Sequence, residues 1–232
     1  MNWSGGKDSA LCLHHAKQQG IPVSALLTSF NTATDRVSMH GIRRNLLQQQ
    51  AVSFGLPLHT LELLESPGME AYEGAIRNVH QSLQAEGYTD AVYGDIFLED
   101  LKAYREGLLA KDGLNAVFPL WQRDSKTLLQ EFFLLGFKAM VVCVNDQHLD
   151  KSFCGRLLDE AFLADLPPDV DPCGENGEYH SFVFDGPLFS NPVPFVKGDL
   201  VFKEYAAPKE NKTECFTTPK PKAGFYFCDL LP

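Results

Sequence analysis

The chain has 232 residues, of which 44% are hydrophobic, and a formal net charge of −10. That length fits one large domain or two small domains with a full core, and the acidic balance argues against sequence-independent binding to nucleic acid. No apolar run approaches the ~18 residues that a membrane span needs, and Lys7 and Asp8 interrupt the N-terminus before any signal-peptide core. A cytoplasmic protein without a membrane anchor is therefore predicted.

Residues 4–9, Ser-Gly-Gly-Lys-Asp-Ser, follow a short apolar start and precede a helical pattern that ends at Gly20. The order predicts a strand, a glycine turn and a helix N-terminus, where backbone N–H groups and the helix dipole favour an anion. Lysine adds a full positive charge and the serines add hydroxyl donors. The predicted phosphate-binding residues are Ser4, Gly5, Gly6, Lys7, Asp8 and Ser9.

Short apolar runs then alternate with helical patterns as far as residue 145, which predicts a parallel sheet with helices on both faces. The predicted strands are 23–30, 58–63, 91–93, 116–119 and 138–144, and the predicted helices are 42–54, 69–83, 98–111 and a helix capped by Ser125 that ends at Gly136.

Ligands of such sheets bind beyond the carboxyl ends of the strands, so residues that follow predicted strands are candidates for the site. Thr28, Ser29 and Phe30, at the end of the second predicted strand, and His40, before the next helix, are therefore candidates for contact with the ligand. Gly94 allows a close approach of ligand, and Asp95 could accept from a ribose, an amine or hydrated Mg²⁺. Arg43 and Arg44 are candidates for holding an anion, and Arg105 is a candidate for contact with the substrate.

The second part of the chain differs in pattern. A helix is predicted over 152–166, and a polar stretch over 171–178 leads into strands at 179–184, 196–205 and 225–230. Residues 206–223 are rich in proline and lysine, which predicts a mobile loop. We place a domain boundary near residue 146, which gives a nucleotide-binding domain over 1–145 and a substrate-binding domain over 146–232.

The polar stretch and the strand after it read Asp-Pro-Cys-Gly-Glu-Asn-Gly-Glu-Tyr-His-Ser-Phe-Val over residues 171–183. Together with the first motif, this segment resembles the diphthine–ammonia ligase family of N-type ATP pyrophosphatases. The resemblance covers nearly the whole chain and implies a PP-loop (HUP-like) nucleotide-binding domain followed by a smaller α+β domain. Residues 38–44 resemble the bacterial branch of the family, whose hosts do not make diphthamide.

The resemblance implies an ATP-dependent ligase that adenylates an acceptor carboxylate, releases pyrophosphate and transfers ammonia to give an amide. ATP and Mg²⁺ bound through the phosphates are then the implied cofactors, and the acceptor is a protein side chain or a small molecule. In this fold the adenine commonly lies at the strand end formed by Thr28, Ser29 and Phe30, and His40 could contact the nucleotide or the substrate. The resemblance implies that the catalytic residues are Lys7, Asp95, Glu178 and His180. It implies that the residues in contact with the substrate are Glu175, Asn176, Gly177, Glu178 and Arg105.

Several alternatives stay open. This protein could instead be an adenylating enzyme that acts on tRNA, as some relatives with this loop do, although the acidic charge and the lack of a C-x-x-C pair argue against sulfur transfer to tRNA. A nucleotide-binding sensor would need only the first motif. The six cysteines contain no C-x-x-C pair, so no metal site made of protein ligands is predicted. The sequence does not determine the acceptor, and a homo-oligomer stays open.

Overall fold

The structure is a computed structural model that describes residues 1–64, 68–205 and 223–232. Its helices are α1 Lys7–Gln18, α2 Arg44–Phe54, α3 Met69–Ala85, α4 Glu99–Lys111, α5 Ser125–Leu134 and α6 Glu160–Asp165. Its strands are β1 Leu26–Asn31, β2 Arg36–Val37, β3 Leu58–Leu63, β4 Asp90–Val92, β5 Asn115–Val117, β6 Lys138–Asn145, β7 Tyr179–Asp185, β8 Val196–Tyr205 and β9 Ala223–Leu231. Among the described helices, none combines the length and the apolar character needed to cross a membrane.

The N-terminal segment 1–3 joins two groups of strands into one layer. Parallel β3 and β1 lie on one side, and parallel β4 and β5 lie on the other. Trp3 N donates to Leu27 O and Asn2 N donates to Val92 O, each at 2.8 Å. The spatial order is therefore β3, β1, segment 1–3, β4, β5, and the order of the strands reverses beside the segment. Such a reversal is where open α/β sheets bind ligands.

The second sheet is antiparallel and has the order β7-β6-β9-β8. The expected place of β6 in the parallel sheet is wrong, because this strand pairs with β7 and β9. A buried strand has a continuous apolar run in either kind of sheet, so its composition could not assign it. The boundary near residue 146 stays a prediction, although it would separate β6 from the strands with which it pairs.

The single helix predicted over 152–166 is also wrong. A 3₁₀ turn at Lys151–Phe153 and the short α6 occupy the two ends of this range. Between them, Gly155 has φ +80°, and the chain pairs with β6 through bonds such as Gly155 N to Val141 O at 2.7 Å. Backbone pairing with the sheet therefore replaces the middle of the expected helix.

The N-cap of helix α5 lies one residue before the predicted cap. Asp124 is the N-cap, and its carboxylate accepts from Thr127 N at 2.8 Å, whereas Ser125 is the first helical residue. Both residue types are good caps, so the sequence alone leaves this choice open.

One main core contains buried residues of both parts of the chain, including Trp3, Leu11, Phe132, Val141 and Phe182. The two sheets are therefore packed together through a continuous apolar interior. Of the mobile loop predicted over 206–223, only Ala223 is described, as the first residue of β9. The rest of that prediction lies outside the described residues.

Replacing Phe132 by alanine should lower the free energy of unfolding by about 3–5 kcal/mol, because the ring is fully buried and stacks on Phe137 at 5.1 Å between centroids. Urea unfolding measures the change. Leu134→Ala is the matched control on the same helix, since Leu134 is 87% exposed. Equal losses for both variants would contradict this account of the core.

Candidate active site

The glycine turn after segment 1–3 has the expected geometry of an anion site. Gly5 has φ +81°, a conformation that glycine adopts at little cost, and Gly6 is the N-cap of α1. The hydroxyls of Ser4 and Ser9 are 2.9 Å apart, and Gly6 N donates to Ser4 Oγ at 3.3 Å. The turn therefore gathers hydroxyl and N–H groups at the positive end of a helix.

The turn is bonded to β7 of the second sheet. Val183 N donates to Gly5 O at 2.9 Å, and Lys7 N donates to Ser181 Oγ at 3.2 Å. These bonds place the first motif against the strand that carries the end of the second motif. The structure thus brings the two predicted motifs together, although more than 170 residues separate Lys7 from Ser181.

Lys7 is almost fully buried, with 2% of its surface exposed. Its Nζ donates to Asp8 Oδ2 at 2.9 Å and lies 4.9 Å from the centroid of the Tyr179 ring. Burial alone would lower the pKa of Lys7, but Asp8 and other neighbours outweigh that effect and raise it. The side chain is therefore a permanent cation at the turn.

Gly94 and Asp95 follow β4 and lie beside the start of α1. A Cβ atom at Gly94 would be 3.0 Å from the carbonyl oxygen of Asp8, so the two segments are in close contact. Asp95 forms an ion pair with Arg105, with Nε and Oδ2 2.6 Å apart. Burial raises the pKa of Asp95, and Arg105 opposes that rise. Arg105 also lies 4.4 Å from the centroid of the Tyr93 ring.

Glu175, from the second motif, reaches the same edge of the parallel sheet. Its Oε1 accepts from Ile96 N at 2.8 Å. Burial raises the pKa of Glu175 to about 7, with a further contribution from the charge of Asp8. The carboxyls of Asp8, Asp95 and Glu175 therefore surround the positive charges of Lys7 and Arg105.

Glu178 holds the loop of the second motif in shape. It is 1% exposed, and its Oε1 accepts from Asp171 N at 3.1 Å and from Asn176 Nδ2 at 3.0 Å. Its Oε2 is buried and has no hydrogen-bond partner among the described residues. Gly177 has φ +87° in the same turn. The structure thus shows Glu178 and Asn176 bonded to each other, and the substrate contacts of both residues and of Gly177 stay predictions.

His40 and His180 stack on each other beside the glycine turn, with ring centroids 4.5 Å apart. His40 Nδ1 lies 3.3 Å from Ser181 O, and His180 Nε2 is buried without a partner among the described residues. Burial lowers the pKa of His40 to about 4. Burial, with the charge of Lys7, also places the pKa of His180 well below its usual value. Both imidazoles are therefore neutral at pH 7.

The segment that carries His40 is tied to β9. Asp229 accepts from Arg36 Nη1 at 2.7 Å and from Arg43 Nη2 at 2.6 Å. Arg44 bonds to Glu62 through both terminal nitrogens, each at 2.8 Å. Carboxylates of the chain therefore engage both arginines that the sequence suggested for anion binding.

The end of β1 lies beside segment 1–3, and the side chains of Thr28 and Phe30 face inward. Thr28 is 1% exposed and donates from Oγ1 to Trp3 O at 2.6 Å. Phe30 is fully buried, and Ser29 O accepts from Ser38 N at 3.2 Å. The Thr28 hydroxyl and the Phe30 ring are thus committed to the fold, and adenine binding at this strand end stays a prediction.

Sequence reasoning missed two residues that hold the turn in place, Ser181 and Gln50. The Gln50 side chain bonds to the turn and to β7. Its signal was present, because Gln50 lies on the apolar face of α2 with Leu46, Leu47 and Ala51. A polar side chain at such a position requires buried partners.

The strand reversal, the glycine turn at the start of α1 and the buried lysine together define an α/β nucleotide-binding class of protein. The family models for the diphthamide synthase N-terminal domain and C-terminal domain match residues 1–116 and 124–206. The chain belongs to this family.

Relatives with the curated name diphthine–ammonia ligase are similar over much of the chain. The Danio rerio protein is 28% identical over 214 residues, which cover 82% of this chain and 83% of that protein. The Schizosaccharomyces pombe protein is 25% identical over 217 residues, which cover 85% of this chain but only 36% of that longer protein. The Homo sapiens protein is 34% identical over 110 residues, 45% of this chain and 41% of that protein.

Replacing Gly94 by alanine should weaken ATP binding at least tenfold, because the new Cβ would displace the Asp8 carbonyl at the start of α1. Isothermal titration calorimetry measures the affinity. Gly107→Ala is the matched control, since nothing lies within 4 Å of its Cβ position and alanine favours a helix. Unchanged ATP affinity in Gly94→Ala would contradict the close contact between these segments.

The raised pKa of Glu175 gives stability a defined pH dependence. The folded protein holds this proton more tightly than the unfolded chain, so the stabilisation is complete below about pH 4.5 and is lost as the pH rises towards 7. Glu175→Gln should therefore gain stability relative to wild type, by about 1–3 kcal/mol, across this window and then level off. Urea unfolding from pH 4.5 to 8 tests it, and a difference that does not change with pH would count against the assignment.

Proposed function

We propose that this protein is an ATP-dependent ligase that adenylates an acceptor carboxylate, releases pyrophosphate and transfers ammonia to form an amide. Membership of the diphthamide synthase family supports the proposal, as do relatives named diphthine–ammonia ligase. The same proposal assigns AMP and pyrophosphate as the products.

The observation that carries the proposal is the contact between the two motifs. Lys7, at the phosphate-binding turn, donates from its backbone N–H to Ser181 and places its ammonium 4.9 Å from the Tyr179 ring. A triphosphate at the turn would therefore lie against the loop and strand that include Glu175, Glu178 and His180. This proximity is what a reaction between ATP and a second substrate requires.

In the first step, a carboxylate oxygen of the acceptor attacks the α-phosphorus of ATP. The bond between the α-phosphorus and its bridging oxygen breaks, and pyrophosphate leaves with the electron pair. Negative charge builds on the phosphate oxygens during this step. Fixed donors stabilise it best when they are oriented in advance, and in this proposal the Gly6 N–H group and the Lys7 ammonium have that role.

The expected metal is Mg²⁺ held by the phosphates, where it would neutralise part of their charge. Asp8 fits such an ion, because its Oδ1 is buried and has no hydrogen-bond partner among the described residues, and carboxylate oxygen is a preferred ligand of Mg²⁺. Asp95 is close to the same helix start, but its carboxylate is paired with Arg105. We therefore assign the contact with hydrated Mg²⁺ to Asp8 in preference to Asp95.

In the second step, ammonia attacks the carbonyl carbon of the adenylate, AMP leaves, and one proton is released. A neutral imidazole can accept a hydrogen bond or a proton from the attacking nitrogen. His180 has this neutral form, and its buried Nε2 has no hydrogen-bond partner among the described residues. Glu178 Oε2, also buried without a described partner, is the second candidate to orient ammonia.

The proposed acceptor is a molecule that bears a carboxylate. The relatives are named diphthine–ammonia ligase, which indicates that diphthine is the acceptor for those proteins. For this chain we propose the carboxylate class, with Glu175, Asn176, Gly177 and Arg105 as the residues that bind it. Arg105 would then exchange part of its ion pair with Asp95 for the incoming carboxylate.

Purified protein with ATP, Mg²⁺, ammonia and a nucleotide-depleted cell extract should form AMP and pyrophosphate. Lys7→Ala should lower that rate by about 100- to 1,000-fold, because it removes the cation at the phosphate site. Product analysis by ion-exchange chromatography measures the rate. Lys17→Ala is the matched control, since Lys17 lies exposed at the other end of α1.

Formation of ADP in place of AMP would refute the adenylation chemistry. ATP binding without turnover in any extract would favour a nucleotide sensor. AMP formation that depends on the tRNA fraction of the extract would move the acceptor from a carboxylate to tRNA.

A further inference from the structure

Gln50 is a fully buried polar residue in the middle of an apolar helix face. Its side chain has no exposed surface, and its neighbours Leu46, Leu47 and Ala51 on α2 are buried as well. Burying an amide costs free energy unless its hydrogen-bonding groups are satisfied. The partners of Gln50 therefore indicate what this residue does.

Each of those partners belongs to a different part of the site. Gln50 Oε1 accepts from Trp3 Nε1 at 2.8 Å. Gln50 Nε2 donates to Gly5 O at 3.1 Å and to Val183 O at 2.6 Å. One amide thus connects segment 1–3, the turn that follows it and β7.

The bond to Gly5 O determines which way the next N–H group points. Gly5 O is held by Gln50 Nε2 at 3.1 Å and by Val183 N at 2.9 Å. In a trans peptide the carbonyl and the following N–H point in opposite directions. Gly6 N–H is therefore turned away from Gln50, towards the Ser4 hydroxyl at 3.3 Å, on the side where the serines and the start of α1 form the anion site.

The contact is also close enough to define the turn sterically. A Cβ atom at Gly5 would be 3.0 Å from Gln50 Oε1 and 2.9 Å from Leu47 Cδ1. The amide thus packs directly against the Gly5 backbone, which has φ +81°.

We propose that Gln50 is a positioning residue that fixes the Gly5–Gly6 peptide so that the Gly6 N–H group faces the phosphates of ATP. This inference rests on the proposed ATP binding. Gln50 does not touch the nucleotide, because it is enclosed by α2, segment 1–3 and β7. Its effect is transmitted through the orientation of one peptide group.

If Gln50 is a positioning residue, its replacement should weaken the binding of ligands that carry phosphate and leave the binding of other ligands unchanged. Gln50→Met keeps the length of the side chain but removes both the donors and the acceptor. ATP affinity should fall about 10- to 100-fold, whereas adenosine, which has no phosphate, should bind within twofold of wild type. Competition against a fluorescent ATP analogue measures both dissociation constants on the same protein.

Leu46→Ala is the matched control, since Leu46 is equally buried on the same helix and its loss leaves a cavity. It should lower the melting temperature without changing the ratio of ATP to adenosine affinity. Gln50→Asn keeps a shorter amide and should give an intermediate ratio, which also provides a readout where Gln50→Met does not fold.

Equal proportional losses of ATP and adenosine affinity in the Gln50 variants would overturn the inference, as would ATP affinity within twofold of wild type. A wild-type protein that binds neither ligand would refute the proposed function instead. The two failures are therefore distinguishable.

Discussion

The site depends on the bonding of a glycine turn to a strand of another sheet. Gly5 O and Lys7 N are both bonded to β7, through Val183 and Ser181. Because a glycine turn has little conformational preference of its own, these external bonds decide which of its N–H groups are presented. The predicted phosphate site thus depends on both sheets, because α1 begins at the edge of the parallel sheet and the antiparallel sheet holds the turn in place.

The same junction concentrates charge in a space with little water. Lys7 stays protonated because Asp8 is beside it, and Glu175 holds a proton up to about pH 7 because burial and Asp8 oppose its ionisation. Arg105 is matched with Asp95. Such an arrangement keeps the net charge small before a polyanion arrives, and neighbouring groups can adjust their protonation when it does.

Much of the fold could be predicted from the sequence, because apolar periodicity and glycine stops define elements such as β3 and α2. The place of β6 could not, since a run of valines suits a parallel or an antiparallel sheet equally well. The meeting of the two motifs required tertiary structure, although each motif was visible alone. Gln50 could have been found from its position among leucines on α2, but its partners Trp3, Gly5 and Val183 could not.

The bonds that shape the turn join residues far apart along the chain. Lys7 and Ser181 are 174 positions apart, and Gln50 and Val183 are 133 apart. Contacts of this kind stabilise the fold only after a large loop has closed, and closing that loop costs conformational entropy. During synthesis the turn cannot form these bonds until residue 183 has been added, because its partners Ser181 and Val183 lie on β7. The turn therefore reaches its final arrangement only after the second sheet has been made.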